Sequence, residues 1–513
     1  MNTLLISILI FSGTKDFLKK ELHRNFEYLK RNSEVKPYFI LYRITEIELY
    51  YLEYGKAGLC EERKTVSRAP YVEVRVGDYR EDGVSSNFFG SGFSTRYDFK
   101  NLAYPKFPLE DEEYAIRHTL WKMTDFGYKN AVSDYYKREK SKTAFLPEDT
   151  SASFSKEKPV NYKKREMKKV NYKRIKEIMD KFYSRVLKVE FLYSGKLSFY
   201  FIRKKRIIVN TEGTEIEDTG SYFLMRVSVS AFDKEGKRYS SSREFFGYEI
   251  DEILGKRCLQ EAISFIEDFK KHVNGNEIKG YNGDVVLGGI SSAKFISNLV
   301  KNTFFLSKDN YDNLKSFIQK IGRKITADID VYDKPDIDYF NKKPLAGFLL
   351  YDDEGVRSEH VNLIERGILK NFLLKREPVS EFSNSNGHAR SALYSKPFPF
   401  MTNVFVKDLP EKNLLRDSIL IIEDIQIRSP LSFEITKGFI LYKNGNKREI
   451  KNLEINFSSF EDMWGKIKGV LGNMSSFNFF EGNPYIPFSI TTYDIILKDI
   501  NVNPLVKKKI RND

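Results

Sequence analysis

Residues 351–370 read YDDEGVRSEHVNLIERGILK. Asp352, Asp353 and Glu354 ahead of Gly355 form a tight-turn signal, in which aspartate side chains bond the backbone and glycine supplies a positive φ. Val361 to Lys370 then alternates around a fold-back at Glu365 to Gly367, the pattern of a hairpin. A turn followed by a hairpin predicts antiparallel sheet. Further along, Phe439–Tyr442 and Arg448–Ile450 flank Asn444-Gly445, a dipeptide that favours a type I′ turn because both positions need positive φ.

Upstream the pattern changes. Phe295, Ile296, Leu299 and Val300 keep a helical spacing between Ala293 and Phe304, and the Gly- and Asn-rich stretch 274–283 before it is the best place for a domain junction. Leu187–Tyr200, Ile202–Asn210 and Phe223–Ala231 read as strands. A helix follows in which Leu254, Cys258, Ala262, Phe265, Phe269 and Val273 share one stripe. Nearer the N-terminus, Asp16–Arg31, Glu110–Lys142 and Arg174–Tyr183 read as helices, Pro37–Ile44 and Val72–Val76 as strands, and Ser151–Tyr162 as a loop. Segregated helices and antiparallel sheet predict the α+β class: a mixed α/β region over 14–275 and a mainly antiparallel β domain over 276–513.

The 513 residues are 41% hydrophobic and 30% charged, with mean hydropathy −0.46, which excludes a membrane bundle and a low-complexity polymer. Net charge is +14, and Lys163 to Lys176 alone holds eight basic residues and one acid, with smaller basic runs at Arg203–Arg206 and Lys507–Arg511. Tyr172 is the only aromatic in the main run, so a solvated face is the preferred reading over a nucleic-acid surface. Two cysteines, Cys60 and Cys258, exclude a disulfide framework and a multi-cysteine zinc site. Leu4 to Phe11 resembles the apolar core of an export signal, yet no Lys or Arg precedes it and it is too short to span a bilayer. A cytoplasmic chain and one exported through a signal in residues 1–13 both stay open.

Four segments of the second half occur in a telling order: Tyr351–Val356, Leu363–Lys370, Asn386-Gly387-His388-Ala389-Arg390 and Pro399-Phe400-Met401-Thr402-Asn403. Together they resemble the TldD/PmbA family, with its DDEG, its E-x-G-x-L-K hairpin, its glycine-rich GHGR-like loop and its P-x-M-(T/S)-N. Lys36–Tyr42, Val74–Tyr79, Leu120–Tyr128 and Asn210–Thr214 resemble family segments of the first half. The resemblance implies a metallopeptidase fold in which a His-Glu-x-x-x-His helix and a distant Cys hold zinc, with the Glu as general base. Counted on from Val285-Val286-Leu287-Gly288, those positions are Ser297, Asn298 and Asn302. None is a competent ligand or base at neutral pH. Residues 477–490, where the Cys would fall, contain none. This departure resembles the PmbA (TldE) type.

No catalytic residue and no bound cofactor is therefore expected, with zinc only in a partner subunit. His23, His118, His272, His360 and His388 include no pair spaced for one helical face. Asp352, Asp353, Glu354, His388 and Arg390 are the candidate peptide-binding residues. The competing reading is a structural turn at 352–355 and a backbone-satisfied turn histidine at 388. The function expected is a non-catalytic subunit that partners a zinc-bearing TldD-like relative, or itself, in proteolysis of extended peptides. An active peptidase with another site and an anionic-polymer binder are the alternatives.

Overall fold

Long alternating stretches in the first half pair into a seven-stranded sheet in the computed structural model, which describes residues 13–85, 107–144, 151–165, 170–408, 418–481 and 486–505. The apolar run Leu4–Phe11, the basic run Lys507–Arg511 and residues 166–169 of the main basic run lie outside the described residues. β1 (Pro37–Gly55) and β2 (Gly58–Gly77) form a hairpin, and β3 (Asp82–Val84) continues the edge. β4 (Asn161–Arg165), β5 (Ser194–Asn210), β6 (Glu215–Phe232) and β7 (Arg238–Gly247) complete the order β3-β2-β1-β5-β6-β4, with β7 also on β6.

Side-chain parity assigns the two faces of this sheet. Even positions of β1 and odd positions of β5 point to the helices. At one end α1 (Thr14–Asn32) and α2 (Glu113–Ala144) cover Ile40, Tyr42, Val74 and Ile207. At the other, α3 (Tyr172–Val186), α4 (Ile250–Leu254) and α5 (Lys256–Val273) cover Leu52, Phe199, Phe201 and Met225. Cys258 sits in that core. The opposite face presents Ile47, Leu49, Tyr51, Ile202, Tyr222 and Phe246 to Ala346 and Leu393 of the second half.

The second half builds a twelve-stranded sheet around Ile486–Pro504, which pairs antiparallel with Ile467–Glu481 and Tyr281–Leu287 and parallel with Asn403–Lys407. α6 (Ile290–Thr303), α7 (Tyr311–Ile318) and α8 (Phe460–Lys466) pack with it. The class is α+β. Every strand of the first sheet lies before Tyr248 and every strand of the second after Gly275. Among the described residues no helix is long and apolar enough to cross a membrane.

Two turns trade places with their sequence readings. Arg366 and Gly367, at φ +46° and +75°, form the two-residue turn with both positions left-handed. At Asn444-Gly445 only Gly445 has positive φ, and its N–H donates to Tyr442 O within a four-residue loop. The hairpin is there, but the turn type is not I′.

Candidate functional site

α6 starts where Gly289, at φ +53°, gives its N–H to Asp494 Oδ1 at 2.8 Å. Ser291 and Ser292 hydroxyls donate to Ile422 O and Leu287 O and pin the first turn to the sheet. Phe295, Ile296, Leu299 and Val300 bury the inner stripe. Lys294, Ser297 and Lys301, spaced i, i+3 and i+7, line a cavity of about 810 Å³. Its other wall comes from β5, β6 and β7 through Lys196, Ser228 and Ser240–Ser242, and Phe479, Phe480 and Phe488 complete it. Lys196–Glu53, Lys294–Asp424 and Lys301–Glu481 are ion pairs of 2.5 Å each around this space. Among the described residues β7 has one ladder partner, β6.

The groups at the helix do not fit zinc. Ser297 faces the cavity, Asn298 Nδ2 donates to Pro430 O at 2.7 Å, and Asn302 Nδ2 donates to Asn298 O at 2.7 Å. A hydroxyl and two amides committed to backbone carbonyls offer neither imidazole nor thiolate. Among the described residues no three His, Cys, Asp or Glu side chains lie together in a metal-holding group.

The other candidates gather elsewhere, in a buried joint between the two halves. Asp352 Oδ1 accepts from the N–H groups of Glu354 and Val356 at 2.9 Å, and Oδ2 from Ala389 N at 3.1 Å. Asp353 accepts from Ser391 N at 2.8 Å and from Arg206 Nη1 of β5 at 2.9 Å. Arg43 of β1 donates to Asp353 O at 3.1 Å. Glu354 Oε2 accepts from Arg376 N at 2.7 Å. Arg390 donates to Met401 O and Pro487 O. His388 is fully buried, and its Nδ1 lies 2.9 Å from Asn386 O, which only a protonated Nδ1 can satisfy. Its Nε2 stands 3.7 Å from Asp333 Oδ1, while Asp333 also accepts from Thr402 N at 2.7 Å. The structure thus brings Asp352, Asp353 and Glu354 together with the loop around His388 and Arg390. Apart from His388 Nε2, which is buried with no hydrogen-bond partner among the described residues, the side chains are held by bonds within the chain that contact with a peptide would have to break.

Electrostatics in the joint is uneven. Burial alone would raise the Asp353 carboxyl, but the charges of Lys204, Arg43 and Arg206 hold it well below the usual range. Burial and the neighbouring Glu354 push Asp352 up. Glu354 itself rises to about 7, through burial and the charges of Glu73 and Glu377, against the pull of Lys375. Arg75 of β2 anchors the far side with Glu73 at 2.6 Å, Asp82 at 2.8 Å and Glu377 at 3.3 Å.

Residues 281–503 match the PmbA/TldA metallopeptidase C-terminal domain, and residues 161–265 match the central domain of the same family. The chain belongs to the TldD/PmbA family. An uncharacterized protein of Methanocaldococcus jannaschii is 28% identical over 258 residues, 48% of this chain and 56% of the relative, so the chain spans little more than half its length. A protein of the same organism named a metalloprotease is 25% identical over 379 residues, 69% of this chain and 78% of the relative. The crystal structure of TldE from Thermococcus kodakarensis superposes with TM-score 0.62 at 13% identity, covering 95% of this chain and 99% of the other, a likeness of fold.

Within this TldD/PmbA fold, sequence reading missed the partners of its own candidates. Arg43 and Arg206 sit in apolar strands of the first half, more than a hundred residues from Asp353, and no local pattern links them. It also missed the cavity wall. The run Ser240-Ser241-Ser242 in a strand was the available signal, since serine gains little from packing in a sheet.

Proposed function

We propose that this chain is a non-catalytic member of the TldD/PmbA family, a partner subunit that holds an extended peptide while a zinc-bearing relative supplies the metal and the base. The observation that carries this reading is α6: the helix is kept, while Ser297, Asn298 and Asn302 stand at the positions where the family resemblance expects His, Glu and His. Zinc chemistry needs neutral imidazole or thiolate donors and a carboxylate to take the proton from bound water, and these side chains supply neither.

The peptide would enter the cavity beside α6 as a strand added to the outer edge of β7, where main-chain hydrogen bonds give affinity with little demand on sequence. The joint at Asp352, Asp353, Glu354, His388 and Arg390 serves this from behind, by fixing the first sheet against the second. The partner is a TldD-like relative, and an obligate pair of this kind buries more than about 2,000 Å².

The test is native co-purification of the chain, followed by light scattering and elemental analysis. The expected result is a complex with a zinc-bearing relative, with the metal lost when the relative is removed. About one zinc per isolated chain, or a stable monomer from which no relative is recovered, would overturn the reading.

A further inference from the structure

The sheet face that forms the cavity wall changes character along its length. In register across three strands, Tyr200 pairs with Leu224 and Leu224 with Phe246, part of the apolar patch that docks on the second half. Two residues back along β5 the rung is Ser198, Arg226 and Glu244, the last two an ion pair, and four and six residues back the rungs become Lys196, Ser228, Ser242 and Ser194, Ser230, Ser240. A strand face meant to be covered by the chain's own core would continue apolar. This one turns to hydroxyls where the cavity begins.

The hydroxyls are not consumed by one another. Ser194 and Ser230 are 2.7 Å apart, and Arg238 Nη2 donates to Ser230 Oγ at 3.2 Å. The hydroxyls of Ser228, Ser240 and Ser242 make no hydrogen bond to another residue among those described. From the opposite wall Ser297, 6% exposed, faces the same space with its hydroxyl also unpartnered, and Thr436 Oγ1 in the lining is buried without a partner. Of these only Thr436 Oγ1 is sealed from water; Ser240 and Ser242 are exposed and Ser228 is half-buried, so water completes them in the free chain, and a strand laid against them must replace that water with bonds of its own. Charge gives little selection here, because each lysine of the lining, Lys196, Lys294 and Lys301, is paired with a carboxylate, and the remaining cation, Arg238, is exposed to solvent at the start of β7 and donates to Ser230.

We infer that the cavity selects peptide strands of small, uncharged, hydrogen-bonding residues, such as serine, threonine, asparagine and glycine, over strands of large apolar residues. This rests on the reading that the cavity receives an extended peptide. Serine hydroxyls both donate and accept, so Ser240 and Ser242 on β7 complete the side chains of a polar strand added along its outer edge, with Ser228 one strand further in. An apolar strand would seal the same hydroxyls away from water with nothing to bond. Phe480, which stacks at 6.2 Å on Tyr222 and lies 5.9 Å from Phe246, stands where the serine face meets the apolar patch and accepts one apolar residue at that end.

The experiment uses the full chain and two fluorescent ten-residue peptides of equal charge, one built from Ser, Asn, Thr and Gly, the other from Val and Leu. Fluorescence anisotropy reads their affinities for the wild type, for a Ser228→Val, Ser240→Val, Ser242→Val triple variant, and for the matching triple threonine variant. The wild type should bind the polar peptide at least about tenfold more tightly, the valine variant should reverse that order, and the threonine variant, which keeps the hydroxyls, should preserve it. Equal affinities unchanged by valine, or a reversal already produced by threonine, would overturn the selectivity and leave peptide binding in place. Binding of neither peptide by the wild type would remove both the selectivity and the peptide-holding function beneath it.

Discussion

Glu354→Gln should change how stability depends on pH while leaving the fold intact. Glu354 is 3% exposed, and its carboxyl is pushed from an ordinary 4.5 to about 7. A carboxyl that binds its proton more tightly in the folded state contributes stability that is complete below pH 4.5 and is lost as pH rises through 7. The gap is worth about 3 kcal/mol. His272 works in the opposite sense: burial pulls it from 6.5 to about 4. Its contribution is complete above pH 6.5 and is lost as pH falls through 4, again about 3 kcal/mol. Between pH 4.5 and 6.5 the two slopes oppose each other in the wild type. Removing Glu354 takes away the first slope and exposes the second. The variant should therefore gain about 3 kcal/mol relative to the wild type as pH rises from roughly 4.5 to 7.5, read from urea melts at closely spaced pH values. A difference constant to within about 0.5 kcal/mol over that range would mean that Glu354 titrates like an exposed carboxyl, and the account of the joint would fail.

Two further changes probe the same joint. Arg206→Met strips Asp353 of the cation 2.9 Å away and should cost about 3 kcal/mol or more in denaturant melts, whereas Arg206→Met combined with Asp353→Leu should recover much of that loss. Gly387→Ala would place a Cβ 2.2 Å from Arg357 O at φ +73° and should cost more than about 2 kcal/mol; Gly445→Ala, at φ +82° with open space around it, should cost only about 1 kcal/mol by the same melts.

Hairpins and helix stripes were legible because their signals are local. The stripe through Cys258 and Phe265 needed only helical periodicity, and the fold-back before Gly367 only turn chemistry. Long strands were harder. β1 runs 19 residues, yet only Pro37–Ile44 read as strand, because residues 46–54 are mostly buried on both faces and lose the period-two alternation. The outer half of β2 is exposed and charged, which hides it equally well. Arg203-Lys204-Lys205-Arg206 read as a small basic run inside the strand Ile202–Asn210, set apart from Leu187–Tyr200 although residues 194–210 are one strand. In the fold Arg203 pairs with Glu48, Lys205 with Glu217 and Arg206 with Asp218 and Asp353, so the run crosses the sheet with its charges answered from neighbouring strands. Partners so far apart in the chain leave no trace in a local pattern.

The two kinds of candidate behave differently because they hold different relations to the core. On α6 the anchoring residues, Ser291, Ser292, Phe295, Ile296, Leu299 and Val300, occupy the inner stripe, while Lys294, Ser297 and Lys301 face the cavity. A helix arranged this way can exchange its outward groups at little cost in packing, so its chemistry can vary while its place is held. At Asp352–Glu354, His388 and Arg390 the polar side chains are themselves the packing, since each is buried and bonds backbone or a buried charge, His388 through Nδ1 alone. Any exchange there leaves a partner unsatisfied in a region closed to water. On the proposed function, the motifs most easily seen in this sequence build the joint between the two sheets, and the peptide is chosen by the less patterned residues on the open stripe of α6 and the serine end of β5, β6 and β7.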